Sequence, residues 1–310
     1  MTDVLGHARA AIARGSKSFA MASQLFDPVT RDRAMLLYAW CRHTDDVIDG
    51  QVLGQGRNDD MRPPAERLAE VERLTEMALA GEPTGVPAYE ALARVVRETG
   101  MPPQYPRDLV HGFRIDMEER PFVTFEDTQT YCYHVAGCVG VMMAIVMGVS
   151  PQDRATLDRA CDLGIAFQLN NIARDVIEDA MNSRRYIPDE WLASVQLEPK
   201  SFAYPANRRQ LSRLVTRLVN KAEEYEESAR FGTPALQWRA AWAVLAAARI
   251  YGGIGRKVRD AGPEGMEARM STTKAEKLQA VAVALSETMA RKGRWPAPGP
   301  ERIGLWTMGG

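Results

Sequence analysis

The chain has 310 residues, 45% of them apolar and 25% charged, with a formal net charge of −1. That balance excludes a disordered chain and an overall basic field for nucleic acid or anionic lipid. Four cysteines without CxxC spacing and four scattered histidines give no disulfide framework or zinc pattern, and imply reduced thiols in a cytoplasmic protein.

In chain order, "MTDVLGHARAAIARGSKSF" lacks the apolar core of a secretory signal. Asp27-Pro28 supplies an N-cap and a proline for the first helical position, and the helix it opens runs through "RDRAMLLYAWCRHTDDVID" to Gly50. A polar loop follows at 51–64. Apolar periodicity near 3.6 then predicts helices near 65–80, 87–99, 104–119, 125–147, 151–179, 207–230, 234–260 and 273–291. Breakers such as "GEPTGVP", "GMPP", "GVSP" and "AGPEG" separate them. The longest apolar run, "VAGCVGVMMAIVMGV" at 135–149, is 15 residues and falls short of the ~20 of a spanning helix, so it reads as a buried core helix. The basic cluster "NRRQLSR" (207–213) reads as a solvated helix face. No repeat or linker divides the chain. The expectation is one all-α domain of roughly ten helices over 1–291, followed by a loosely ordered tail, 292–310.

Two helices carry an electrostatic anomaly. Each residue advances about 100°, so Asp45 and Asp49 share a stripe, to which Arg42 returns, while Asp46 points away from it. On the later helix Gln168, Asn171, Asp175 and Asp179 form a second stripe. Like charges at i, i+4 cost about 0.2–0.5 kcal/mol per exposed pair, and more when partly buried. Both stripes sit amid apolar residues, so something cationic should offset them. Carboxylate and amide oxygens without thiolates suit Mg²⁺, which keeps waters and bridges to phosphates. The alternative is a pair of solvated faces whose acids pair with Arg42, Arg174 or Arg184. Spacing alone reaches a helical protein with a candidate Mg-diphosphate site.

The motifs "GSKSFAMASQLF", "LYAWCRHTDDVIDG", "YCYHVAGCVG", "LDRACDLGIAFQLNNIARDVIEDA" and "RRYIP" occur together and in the order seen in the squalene/phytoene synthase family, which the chain resembles over nearly its whole length. "STTKAEKL" is similar to the bacterial phytoene-forming branch. The resemblance implies an isoprenoid-synthase fold, with helices around a deep apolar cavity and the acidic motifs facing each other across its mouth. It implies a transferase that condenses two geranylgeranyl diphosphates head to head, through a cyclopropyl diphosphate, to phytoene, the first step of carotenoid biosynthesis. The cofactor it implies is Mg²⁺, with Mn²⁺ as a substitute and no NADPH. Peripheral membrane contact would serve product release. By the same resemblance Asp45, Asp49, Asp175, Asp179 and Asn171 are metal ligands, and Tyr131 joins the four aspartates as catalytic. Ser16, Lys17, Ser18, Arg42, Arg174, Tyr251 and Arg269 surround the diphosphates, while Tyr38 and Gln168 line the substrate cavity.

The same motifs would serve farnesyl diphosphate and a dehydrosqualene or squalene product, or a non-catalytic scaffold of this fold. Tyr131 reads either as a diphosphate-orienting or proton-removing group, or as a buried hydroxyl with a local partner. Asp116 and Glu119 in "RIDMEER" read as a solvated turn, and His134 as a core histidine. Ile177 stands where relatives often carry glycine.

Overall fold

The computed structural model of the chain describes residues 3–15, 17–50, 62–118 and 120–308, apart from the side chains of residues 17–19. Among them run thirteen α-helices and no strand. They are α1 (Val4–Gly15), α2 (Lys17–Ser23), α3 (Pro28–Asp49), α4 (Pro64–Ala80), α5 (Pro87–Thr99), α6 (Gln104–Met117), α7 (Phe125–Cys132), α8 (Cys138–Val146), α9 (Arg154–Met181), α10 (Asp189–Ser194), α11 (Arg208–Arg230), α12 (Trp238–Asp260) and α13 (Lys274–Arg294).

Local chemistry sets many of the ends. The Asp27 carboxylate accepts from the N–H groups of Val29 and Thr30 at 3.0 and 3.1 Å, and Pro28 opens α3 where no N–H is needed. Gly50 closes α3 at φ 64°, a conformation that favours glycine. Capping boxes start α7 at Thr124 with Asp127 and α13 at Thr273 with Glu276. Helices α1, α2 and the short α10 have no counterpart among the predicted helices. Ala8 and Ile12 bury α1 against α3, a packing gain that local pattern over twelve residues does not announce.

Helices α7 and α8 are one rod, joined through a π-helical turn at Tyr133–Gly137. This Phe125–Val146 rod is long and apolar enough to cross a membrane by length and composition, yet 61% of its most apolar window is buried inside the fold. It crosses α9 at backbone contact. A Cβ on Gly164 would lie 2.2 Å from the Ala136 carbonyl oxygen, and one on Gly140 would lie 2.3 Å from that of Ala160. Helix α9 is thereby the central element, packed by α8, α11 and α12. The four cysteines are free thiols.

Residues beyond α13 differ from the loose tail expected. Trp295 is buried against Leu245 and Ala284. Arg302 reaches the fully buried Asp162 with Nε at 2.9 Å and Nη2 at 2.6 Å. The Trp306 ring stacks on Tyr133 with centroids 4.1 Å apart, and its backbone N–H donates to Tyr225 Oη at 2.9 Å. Composition rich in Gly and Pro signals absent helix, and here tertiary ion pairing and stacking do the ordering.

Candidate active site

A cavity of about 950 Å³ runs between α3, α6, the α7–α8 rod, α9 and α12. Its walls are apolar: Val135, Val139 and Met143 on the rod, Leu163 and Phe167 on α9, Val244 and Ile250 on α12. The methionines suit a flexible apolar guest, because their unbranched side chains adapt in shape. At one end the lining turns ionic, where the C-terminal halves of α3 and α9 bring Asp45, Asp49, Asn171, Asp175 and Asp179 to the same mouth.

Arginines interleave these acids. Arg42 binds Asp45 through Nη2 and donates from Nε to Asp46 at 3.1 Å. Arg174 Nε donates to Asp175 at 2.7 Å, and Arg269 approaches the same carboxylate with Nε at 3.3 Å. Arg184, from the turn after α9, donates to Asp49 at 2.9 Å and so ties the second acidic helix to the first. The arginine partners expected of a solvated face are all present, but they sit at a cavity mouth. Among the described residues, no hydrogen bond or ion pair reaches the Asp179 carboxylate.

Burial and neighbouring negative charge shape the acids' protonation. Desolvation chiefly, then Asp175, pushes Asp179 up to about 7. Desolvation likewise carries Asp45 up to about 6 against the pull of Arg42. A cation is what would relieve this uncompensated charge, and the oxygen-only donor set suits Mg²⁺. Among the described residues no three His, Cys, Asp or Glu side chains converge into a closed metal cage. A bound ion would therefore draw on one or two carboxylates, Asn171, waters and a substrate phosphate. Asn171 Nδ2 donates to Gln168 Oε1 at 3.3 Å, which leaves its Oδ1 as the ligating atom.

A stability measurement tests this charge argument. A folded-state pKa raised above the ordinary carboxylate value means that Asp179 weakens the fold increasingly as pH climbs from about 4 through about 7. Asp179→Asn should remove that slope. In chelator, the variant should gain on wild type as the pH rises from about 4 and should melt several degrees above it at pH 8, the rise from 3.8 to about 7 being worth up to about 4 kcal/mol. A melting difference that stays flat across this range would refute the account of Asp179 as a desolvated charge beside Asp175.

The cavity also takes in Tyr38, Tyr131, Gln168 and Tyr251. Burial raises Tyr38 to about 12, and a Cβ on Gly15 would lie 2.4 Å from its hydroxyl, so α1 meets α3 closely here. Tyr251 packs on Phe167 with ring centroids 4.7 Å apart. Among the described residues, Arg269 lies outside the cavity lining and meets the site through Asp175. Ser16 lies outside the described residues, as do the side chains of Lys17 and Ser18 and the whole of Glu119.

Asp116 departs from its expected solvated turn. It accepts from Tyr131 Oη at 3.0 Å and from Tyr186 Oη at 2.9 Å, bridging the hydroxyls of two tyrosines whose rings stack with centroids 4.6 Å apart, and it lines the cavity. The missed signal is on α6. Leu109, Phe113 and Met117 form its cavity-facing stripe, and Asp116 stands three residues after Phe113 on that stripe. Desolvation raises the Asp116 carboxyl, and burial with Asp116 nearby raises the Tyr131 hydroxyl well above its ordinary value. His134 stays out of the cavity lining, with Nδ1 3.0 Å from the Asp108 carbonyl oxygen.

Comparison with known proteins agrees with this architecture. The family described as squalene/phytoene synthase matches residues 12–292. The chain is 46% identical over 302 residues to a 15-cis-phytoene synthase of Pantoea ananas, covering 97% of each. It is 45% identical to a 15-cis-phytoene synthase of Paracoccus sp. (strain N81106 / MBIC 01143), covering 99% of this chain and 98% of that one. Among solved structures, a dehydrosqualene synthase in complex with ligand superposes with a TM-score of 0.80 at 25% identity, over 93% of this chain and 97% of that one. A squalene synthase from Alicyclobacillus acidocaldarius shares the fold at a TM-score of 0.74 and 21% identity, over 84% and 94%. With two acid-bearing helices at the mouth of an apolar cavity and a match spanning nearly the whole chain, this protein belongs to the squalene/phytoene synthase family.

Proposed function

We propose that this chain is a phytoene synthase, a Mg²⁺-dependent transferase that joins two geranylgeranyl diphosphates head to head and releases diphosphate. The observation that carries this reading is the near-full-length likeness, at almost half of all positions, to phytoene synthases. Residues 1–291 would form the catalytic unit. Peripheral membrane contact belongs to the same proposal, since the product is a hydrocarbon without a polar group.

In this reading the mouth works by exchange of partners. Arg42, Arg174, Arg184 and Arg269 rest on the carboxylates of Asp45, Asp175 and Asp49. An arriving diphosphate offers the guanidinium groups bidentate oxygen acceptors, with Lys17, Ser16 and Ser18 as further donors. The released Asp45, Asp49, Asp175 and Asp179, with Asn171, are then available to hold Mg²⁺. When bound, the ion neutralises charge that grows on the leaving diphosphate as the carbon–oxygen bond breaks. The allylic cation so formed is attacked by the alkene of the second substrate, and loss of a proton closes the ring to a cyclopropyl diphosphate, which ionises again with release of the second diphosphate, rearranges and loses a second proton. The apolar walls exclude water, which would quench either cation. Tyr131 acts as a neutral hydroxyl oriented by Asp116, because burial and that carboxyl both oppose its ionisation.

Farnesyl diphosphate is the alternative substrate, and cavity length argues against it. From Asp175 to Arg159, both in the lining, α9 spans 16 residues, or ~24 Å at 1.5 Å per residue. Each isoprene unit extends roughly 5 Å, given C–C bonds of ~1.5 Å, so a third unit ends well above the floor.

The test is to incubate purified protein with each diphosphate and Mg²⁺, extract the lipid and separate the products. Phytoene from the four-unit substrate is expected, with kcat/KM for farnesyl diphosphate at least ~10-fold lower. Product from farnesyl diphosphate alone would sink the substrate assignment. Turnover of neither by folded protein would favour the scaffold.

A further inference from the structure

The far end of the cavity is built unlike its walls. Arg159, near the start of α9, lies there beside Thr156, Gly232 and Thr233, and only 9% of it is exposed. Its Nη1 donates to Ser228 Oγ on α11 at 2.5 Å, its Nη2 donates to the Pro300 carbonyl oxygen, and its guanidinium carbon stands 5.7 Å from the centre of the Phe231 ring. A Cβ on Gly232 would lie 2.8 Å from Arg159 Cβ, so the side chain rises directly from a close backbone contact. Ser228 Oγ in turn donates to Asp162, the carboxylate that Arg302 grips with two hydrogen bonds. Arg302 also donates to the Trp306 carbonyl oxygen at 2.8 Å. The C-terminal segment thus supplies one acceptor to Arg159 and the cation that pairs with Asp162.

Resting on the proposed prenyl-diphosphate chemistry and deepening it, we propose that Arg159 is a specificity-determining residue that ends the substrate cavity, and that residues 296–308 form a strap that positions it. A floor of leucine or methionine would yield to a longer guest by changing rotamer. Arg159 cannot, because moving it strips a buried cation of its acceptors. The floor is therefore stiff. Sixteen residues of α9 separate Asp175 from Arg159, which is ~24 Å along the helix. At roughly 5 Å per isoprene unit, four units reach about 20 Å and five about 25 Å, before any allowance for the diphosphate. The guanidinium stands where the fifth unit would go.

The test measures binding, so it does not depend on turnover. Non-hydrolysable thiodiphosphates with three, four and five isoprene units are titrated, with Mg²⁺ present, into full-length wild type and into R159L, R159A and R302Q, and Kd is read by calorimetry. R159L keeps the Asp162–Arg302 pair and guards against loss of fold in R159A. Wild type should favour four units, with five at least ~10-fold weaker. R159L or R159A should improve the five-unit analogue at least ~10-fold relative to the four-unit one, and R302Q should move it the same way by roughly 3-fold. A folded R159L with the wild-type length preference would overturn the assignment of Arg159. An R302Q protein whose preference is unchanged, with R159L shifted, would overturn the strap. Wild type that binds the four-unit analogue best but makes no phytoene would sink the proposed reaction and leave the floor standing.

Discussion

Asp175→Asn should cut product formation by roughly 100-fold or more while the helical circular dichroism stays as in wild type. Asp175 is the most heavily paired acid of the mouth, held by Arg174 on its own helix and by Arg269 from the segment before α13. Asparagine keeps the shape and removes the charge. Both arginines then lose a carboxylate and the metal site loses a negative ligand, so charge developing on the leaving group goes less compensated. A loss of roughly 10²–10³-fold in kcat is expected, the scale of removing one electrostatic stabiliser from a water-poor site. The stability change should be small, about 1 kcal/mol, since losing the pairing to Arg174 is offset by relief of the repulsion between Asp175 and Asp179. The measurement is steady-state synthesis at saturating Mg²⁺, with thermal melting alongside. A variant within threefold of the wild-type rate would remove Asp175 from the metal assignment.

Gly164→Ala should destabilise the protein, against the sign that helix propensity gives. Replacing glycine by alanine in a helix interior ordinarily gains about 1 kcal/mol. Here the new Cβ would meet the Ala136 carbonyl oxygen at 2.2 Å, the Ala136 carbonyl carbon at 2.7 Å and Gly137 Cα at 2.8 Å. All three are backbone atoms, so no side chain can rotate aside and the two helices must separate. Overpacking of this kind costs about 1–3 kcal/mol, and Gly164→Val should exceed that range. For a chain of this size each kcal/mol lowers Tm by ~2–4 °C. Because Gly140 and Gly164 also line the cavity, catalysis should fall with stability. If Gly164→Ala melted at or above the wild-type temperature, the backbone contact between rod and α9 would be looser than described.

Much of the site was legible in the sequence because helical periodicity is local. Asp45 with Asp49, and Asp175 with Asp179, declare their stripes through i, i+4 spacing alone, and the structure brings both stripes to one mouth. Asp116 was harder. It is a single acid on an otherwise apolar stripe, and its two tyrosine partners come from 15 and 70 residues away. Arg184 was visible only as one of several neutralising charges, and its bond to Asp49 spans 135 residues. The C-terminal segment misled for a related reason. Its glycines and prolines say that no helix forms, and nothing local says that Arg302 will find Asp162 across 140 residues.

What the sequence determined by itself was the all-α class, the positions of the main helices, the two acidic stripes and, through its motifs, the family. Each depends on residues within a few turns of one another, where 3.6-residue periodicity, caps and breakers act. Tertiary structure decided which ends of those helices meet, where Asp116 turns inward, how arginines share the acids, and that Arg159 closes the cavity with the C-terminal strap beneath it. Those features depend on side chains from distant segments offsetting each other's burial, and the desolvation of a charge is set by the packed surroundings rather than by its neighbours in the chain.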